Sequence, residues 1–204
     1  TSEDLKQRVN ELKTRVVHNL SEERMRLGTT IALNDPAFDD KNIEMGFWQP
    51  LTFTKNVPFG LFFLEEYSSD KIPVLFVHGV SGSPRNFSEI IALLDRTRFQ
   101  PWIAYYTSGF PISLIGQYLN GVIDEMYLKY GFKQMKIIAH SMGGLVSRSM
   151  LNLHTKEHLA YAINTFISIS TPWNGHAAAE MGLKYAPAIV PVWEDIMPGS
   201  SFLQ

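Results

Sequence analysis

Ser141 is the residue whose neighbours best equip it for covalent chemistry. It stands in Ile137-Ile138-Ala139-His140-Ser141-Met142-Gly143-Gly144, after an apolar run and before a helix-compatible stretch from Leu145 to Leu153. A small residue, any residue, serine, any residue and glycine is the spacing of a nucleophile elbow, a strand-to-helix turn tight enough to strain the serine backbone. Side chains two positions to either side of Ser141 would collide there, so Ala139 and Gly143 must be small. The turn lifts the Ser141 hydroxyl clear of the sheet at the amino end of the next helix. Backbone N–H groups and the positive helix end then face any negative charge that develops beside it.

A second segment supplies what the serine needs nearby. Ile72-Pro73-Val74-Leu75-Phe76-Val77 is a short apolar, β-branched run, the pattern of a strand buried on both faces. It ends in His78-Gly79-Val80-Ser81-Gly82-Ser83, a small-residue loop in which Gly79 permits close backbone approach. The N–H of Val80 and the N–H of Met142 are the two candidate donors to an oxyanion. His78 is expected to brace this loop by hydrogen bonding and to take no part in proton transfer. His140 projects to another side of the turn and is read as structural rather than as a base.

With these residues the chain resembles the α/β-hydrolase family, and within it bacterial lipases and esterases. Two motifs carry the resemblance, Val77-His78-Gly79-Val80-Ser81-Gly82 and Ala139-His140-Ser141-Met142-Gly143-Gly144, and Ser168-Ile169-Ser170-Thr171-Pro172-Trp173-Asn174-Gly175 supports it. It covers about residues 71–204. It implies a serine ester hydrolase that works through an acyl-enzyme on Ser141, on a small-molecule or lipid ester, with no cofactor and no metal. Peripheral contact with a lipid surface belongs to the same expectation, as does an extracytoplasmic or membrane-associated place in a bacterium. The alternatives are a non-catalytic binding module on the same scaffold and an acyltransferase.

A serine of this kind needs a histidine to take its proton and a carboxylate to orient that histidine. The family order is serine, acid, histidine. After Ser141 the histidines are His154, His158 and His176, and the carboxylates near the end are Glu194 and Asp195. The first two histidines fall at the end of the helix behind the elbow, and only Glu157 lies among the carboxylates between Ser141 and His176 that could precede the base. The expectation is therefore that the triad acid and base lie beyond Gln204, in a C-terminally incomplete chain. His154 and His158 also fit the four-residue spacing of an inverted zinc-protease motif, but a charged, solvated helix end accounts for them better. The Gly79-Val80-Ser81-Gly82 loop lacks the Gly-Lys-Ser/Thr of a phosphate loop. Trp173, Phe110 and Met142 are candidates to line an acyl pocket, with core packing equally open for Phe110.

The elements that must position these residues follow from periodicity. Strands are expected at 74–78, 101–106, 135–140 and 162–170, with helices near 86–94, over 112–130 and from Gly144 onward. Strands alternating with helices build a doubly wound, mostly parallel α/β sheet, whose ligands sit at the carboxyl ends of its strands. Before this, Leu5, Val9, Leu12, Val16 and Leu20 mark an amphipathic helix over Ser2 to Arg26. Residues 1–60 read as this helix plus an irregular and strand extension packed on a core, and residues 61–204 as the core, ending in a lid-like connector after Met181.

Composition narrows the classes. Apolar residues make up 45% of the 204 residues and aromatics 12%, which suits a single globular domain with a sizeable core. A formal charge of −2 carries no electrostatic footprint for nucleic acid. No run of apolar residues is long enough to span a membrane, and the absence of cysteine excludes a disulfide framework. The first residues, Thr-Ser-Glu-Asp, suggest a processed or trimmed N-terminus.

Overall fold

The expected alternation of strand and helix is realised as a single six-stranded sheet. In the computed structural model of the protein, residues 24–157, 161–186 and 190–204 are described. The strands are β1 (Met25–Thr30), β2 (Phe59–Phe63), β3 (Ile72–Val77), β4 (Phe99–Tyr105), β5 (Gln134–His140) and β6 (Ala162–Ile169). They lie in the order β1-β2-β4-β3-β5-β6, all pairs parallel except β2 with β4. The described helices are α1 (Asp40–Trp48), α2 (Pro50–Asn56), α3 (Ser88–Ala92), α4 (Ile112–Tyr130), α5 (Met142–Glu157), α6 (Ala177–Tyr185) and α7 (Val192–Ile196).

The apolar run of β3 is covered on both faces, as its unbroken hydrophobicity demands. Leu75 and Val77 pack into one layer with Ile112, Ile115, Leu119, Ile123 and Met126 of α4 and with Leu145 and Val146 of α5. Val74 and Phe76 pack into the other with Phe53, Phe87, Ile91 and Tyr105. In α4 the buried positions recur at three- and four-residue steps, and Gly131 ends the helix with a left-handed φ of 63°. On β5, Met135, Ile137 and Ala139 are buried beneath α5, whereas Lys136, Ile138 and His140 are only half covered. β6 forms one border of the sheet, and its Ile163, Phe166 and Ile169 are half-buried while Ile167 is exposed.

Several expectations shift. Most of the helix read over Ser2 to Arg26 lies outside the described residues, but Met25 and Arg26 belong to β1, whose place is set by pairing with β2. The stretch 27–67 is more ordered than its Asn, Asp and Pro content suggests. It holds a 3-10 turn over Pro36–Phe38, the helices α1 and α2, and β2. Pro50 opens α2 in the first turn, where its missing N–H costs nothing. The connector after Met181 includes the end of α6 and all of α7. Among the described residues no helix is long and apolar enough to cross a membrane.

Candidate active site

The turn between β5 and α5 holds a serine in an uncommon backbone conformation. Ser141 adopts a left-handed φ of 54°, a conformation that a residue with a side chain keeps only when its surroundings impose it. Its N–H donates to the Ile169 carbonyl at 2.8 Å, which ties the turn to the end of β6. Below it, Gly143 lies against the end of β3: a methyl group there would stand 2.2 Å from the Val77 carbonyl oxygen and 2.5 Å from that of His78. Those are main-chain atoms at the end of a central strand and at the first residue after it, so only glycine fits. A methyl on Gly144 would likewise meet Thr171 Oγ1 at 2.1 Å. Ala139 is fully buried. The elbow is thus wedged between the ends of β3 and β6.

The loop after β3 presses on the elbow from the other side. A methyl on Gly79 would lie 2.8 Å from Ser141 Cβ and 3.2 Å from Ser141 Oγ, so the two backbones are as close as glycine allows. Ser81 has a left-handed φ of 47°, and Gly82 closes the turn by donating to the Gly79 carbonyl at 3.2 Å. Ser83 and Asn86 then cap the 3-10 turn over Pro84–Phe87 reciprocally. Val80 is half-buried, Met142 is fully so, and among the described residues neither N–H has an acceptor.

His78 is a buried brace. Its Nδ1 lies 2.9 Å from the Gly79 carbonyl oxygen, an atom that can only accept, so this nitrogen carries the proton. Its Nε2 accepts from the Tyr106 N–H at 3.4 Å. Complete burial pushes its pKa down to about 4, only partly offset by the two backbone hydrogen bonds, and the ring is neutral at physiological pH.

The other titratable candidates are elsewhere. His140 is half-buried on the less covered face of β5. His154 lies against Tyr161, ring centroids 4.5 Å apart and planes tilted by 34°, and His158 lies outside the described residues. His176 caps α6, its Nδ1 accepting from the Ala178 N–H at 3.2 Å. Asp195 Oδ2 accepts from the Ile112 N–H at 2.6 Å and so caps the long helix α4. Among the described residues no histidine is hydrogen-bonded to Ser141. Of the pocket candidates, Met142 and Phe110 are buried in the core, while Trp173 is exposed beside Arg148, whose guanidinium lies 5.7 Å from its ring centroid. Tyr106, Ser108 and Thr171 also border the site. Thr171 belongs to the supporting motif over 168–175, whereas nothing in their sequence context marked Tyr106 and Ser108, because each is placed by a contact between distant segments.

The architecture has clear parallels. Lipase BlEst2 of Bacillus licheniformis, in mature form, superposes with a TM-score of 0.53 at 19% identity, over 68% of this chain and 59% of that one. Lipase B of Aspergillus fumigatus gives 0.53 at 14% identity, over 70% and 35%. The chain has the α/β-hydrolase fold. A third likeness is phospholipase PlaB of Legionella pneumophila, solved in complex with thio-NAD, at a TM-score of 0.51 and 22% identity over 65% and 32% of the two chains. The chain thus spans 59% of the length of the first of these proteins and about a third of the others. Residues 112–197 match the family model of the PGAP1-like alpha/beta domain. No curated protein matches in sequence.

Proposed function

We propose that the protein is a serine hydrolase that cleaves carboxylic esters through an acyl-enzyme on Ser141. The observation that carries this is the left-handed Ser141, held between Gly79 and the end of β6 at the carboxyl ends of parallel strands. Ser141 Oγ attacks the acyl carbonyl and its proton passes to a general base. The oxyanion accepts from the N–H groups of Val80 and Met142, which have no other acceptor among the described residues. The carbonyl re-forms as the alcohol leaves, and water then releases the acid. The lipases and the phospholipase that share the fold favour an ester with an apolar acyl chain.

The lack of a histidine partner for Ser141 among the described residues favours a second reading, a hydrolase scaffold that binds without turnover. A fluorophosphonate probe separates the two. Labelling of the full-length protein that disappears in Ser141→Ala supports the enzyme; a folded wild-type protein labelled at no serine refutes it.

A further inference from the structure

The loop from His78 to Ser83 is gripped by the segment that follows β4. Tyr106 meets His78 in three ways: its hydroxyl donates to the His78 carbonyl oxygen, its N–H donates to His78 Nε2 at 3.4 Å, and its ring stacks on the imidazole with centroids 4.2 Å apart and planes 14° from parallel. Two residues further on, Ser108 Oγ accepts from the Ser81 N–H at 3.1 Å. That bond falls on the loop residue with the left-handed φ of 47°. Val80 sits between these two anchors.

The gripping segment is itself immobilised. Tyr106, Thr107 and Ser108 are all buried. Thr107 donates its hydroxyl proton to the Gly46 carbonyl, and the Gly109 N–H donates to the same oxygen at 3.1 Å. A methyl on Gly109 would meet the Phe47 carbonyl oxygen at 2.2 Å, so the backbone lies directly on α1. Loops at strand ends are ordinarily the mobile part of an α/β protein. Here a strained turn is held from below by a rigid, buried platform, the condition under which strain persists.

We propose that Tyr106 and Ser108 are positioning residues that set the Val80 N–H at its working height over Ser141. Neither touches substrate. Tyr106 acts through the backbone and ring of His78, and Ser108 through the N–H of Ser81. The inference rests on the assignment of Val80 as an oxyanion donor.

The test uses the full-length protein with Tyr106→Phe, Ser108→Ala and the double variant. Tyr106→Phe keeps the ring and the backbone N–H and loses only the bond to the His78 carbonyl. Removal of an oxyanion donor costs about a hundredfold to a thousandfold in kcat, and a displaced donor costs less. Each single variant is expected to lower kcat on a p-nitrophenyl ester about tenfold with KM within about twofold, and the double variant to lower kcat further. Amide exchange at Ser81 is expected to quicken in Ser108→Ala, a readout independent of turnover. An active wild type whose folded Ser108→Ala variant keeps its kcat and its Ser81 protection overturns the inference and leaves the Ser141 assignment standing. A loss expressed in KM alone also overturns it. A folded wild type that neither labels nor turns over ester overturns both. Should Tyr106→Phe fail to fold, Ser108→Ala carries the same test.

Discussion

Replacing Gly79 by alanine separates the stability of the fold from the geometry of the site. The added methyl would lie 2.8 Å from Ser141 Cβ, 3.1 Å from the His140 carbonyl oxygen and 3.2 Å from Ser141 Oγ. Carbon atoms in packed interiors rest about 3.5–4.0 Å apart, so loop and elbow must part by roughly 1 Å. The elbow resists, because Gly143 is pressed on the β3 carbonyls and Ser141 is tied to Ile169. The loop resists, because Tyr106 and Ser108 hold it. Overpacking of this kind costs about 1–3 kcal/mol, a fraction that a domain stable by about 5–15 kcal/mol survives. At the reacting centre a 1 Å displacement costs about a hundredfold in rate, or nearly 3 kcal/mol of activation free energy. The expected result is a Gly79→Ala protein that still folds and melts about 2–12 °C lower, with kcat/KM and fluorophosphonate labelling each down about a hundredfold. A folded variant that labels within about twofold of wild type would refute the claim that this loop is seated on the serine.

Two further outcomes follow from groups beside the site. Asp195→Ala leaves the Ile112 N–H without its acceptor and is expected to cost about 1–2 kcal/mol in chemical unfolding while turnover per folded molecule stays unchanged; a collapse of turnover would instead make Asp195 the triad acid. His78 has its pKa pushed down from 6.5 to about 4 by burial, so between those values the unfolded chain binds the proton that the folded one refuses. Its contribution is intact above pH 6.5 and is lost as pH falls toward about 4, by roughly 3 kcal/mol in all. Urea unfolding followed from about pH 7 to about pH 4.5 should show this decline, with a shallower one in His78→Gln; equal slopes would show that the imidazole is not buried neutral.

The parts of the site written in local rules were legible. A serine with small residues two places to either side, between an apolar run and a helix, reads as a strand-to-helix turn, and Ser141 lies between β5 and α5 with a left-handed φ. The strand before His78 declared itself because burial on both faces leaves no room for polar alternation. What escaped was set by long-range contact. Met25 and Arg26 fall inside a helical reading set by the apolar spacing of the preceding segment; only pairing with Phe59 and Gly60 makes them part of a strand. Tyr106 looks like the end of any aromatic strand, and its bond to the carbonyl 28 residues earlier has no sequence signature.

The same distinction bears on how the serine can be tested. A left-handed serine could owe its shape to a catalytic partner pulling on its side chain, or to the backbone around it. Here the strain is borne by the backbone: Gly143 beneath the β3 carbonyls, the Ser141 N–H on Ile169 and Gly79 against Cβ, with Gly144 against Thr171. None of these contacts involves an imidazole. The elbow should therefore keep its conformation in any histidine-to-alanine variant other than that of the buried His78, while the reactivity of Oγ collapses in the one that removes the base. A histidine scan read by fluorophosphonate labelling, with His78 left in place, then identifies the base. His176, committed to the amino end of α6, is expected to show no effect.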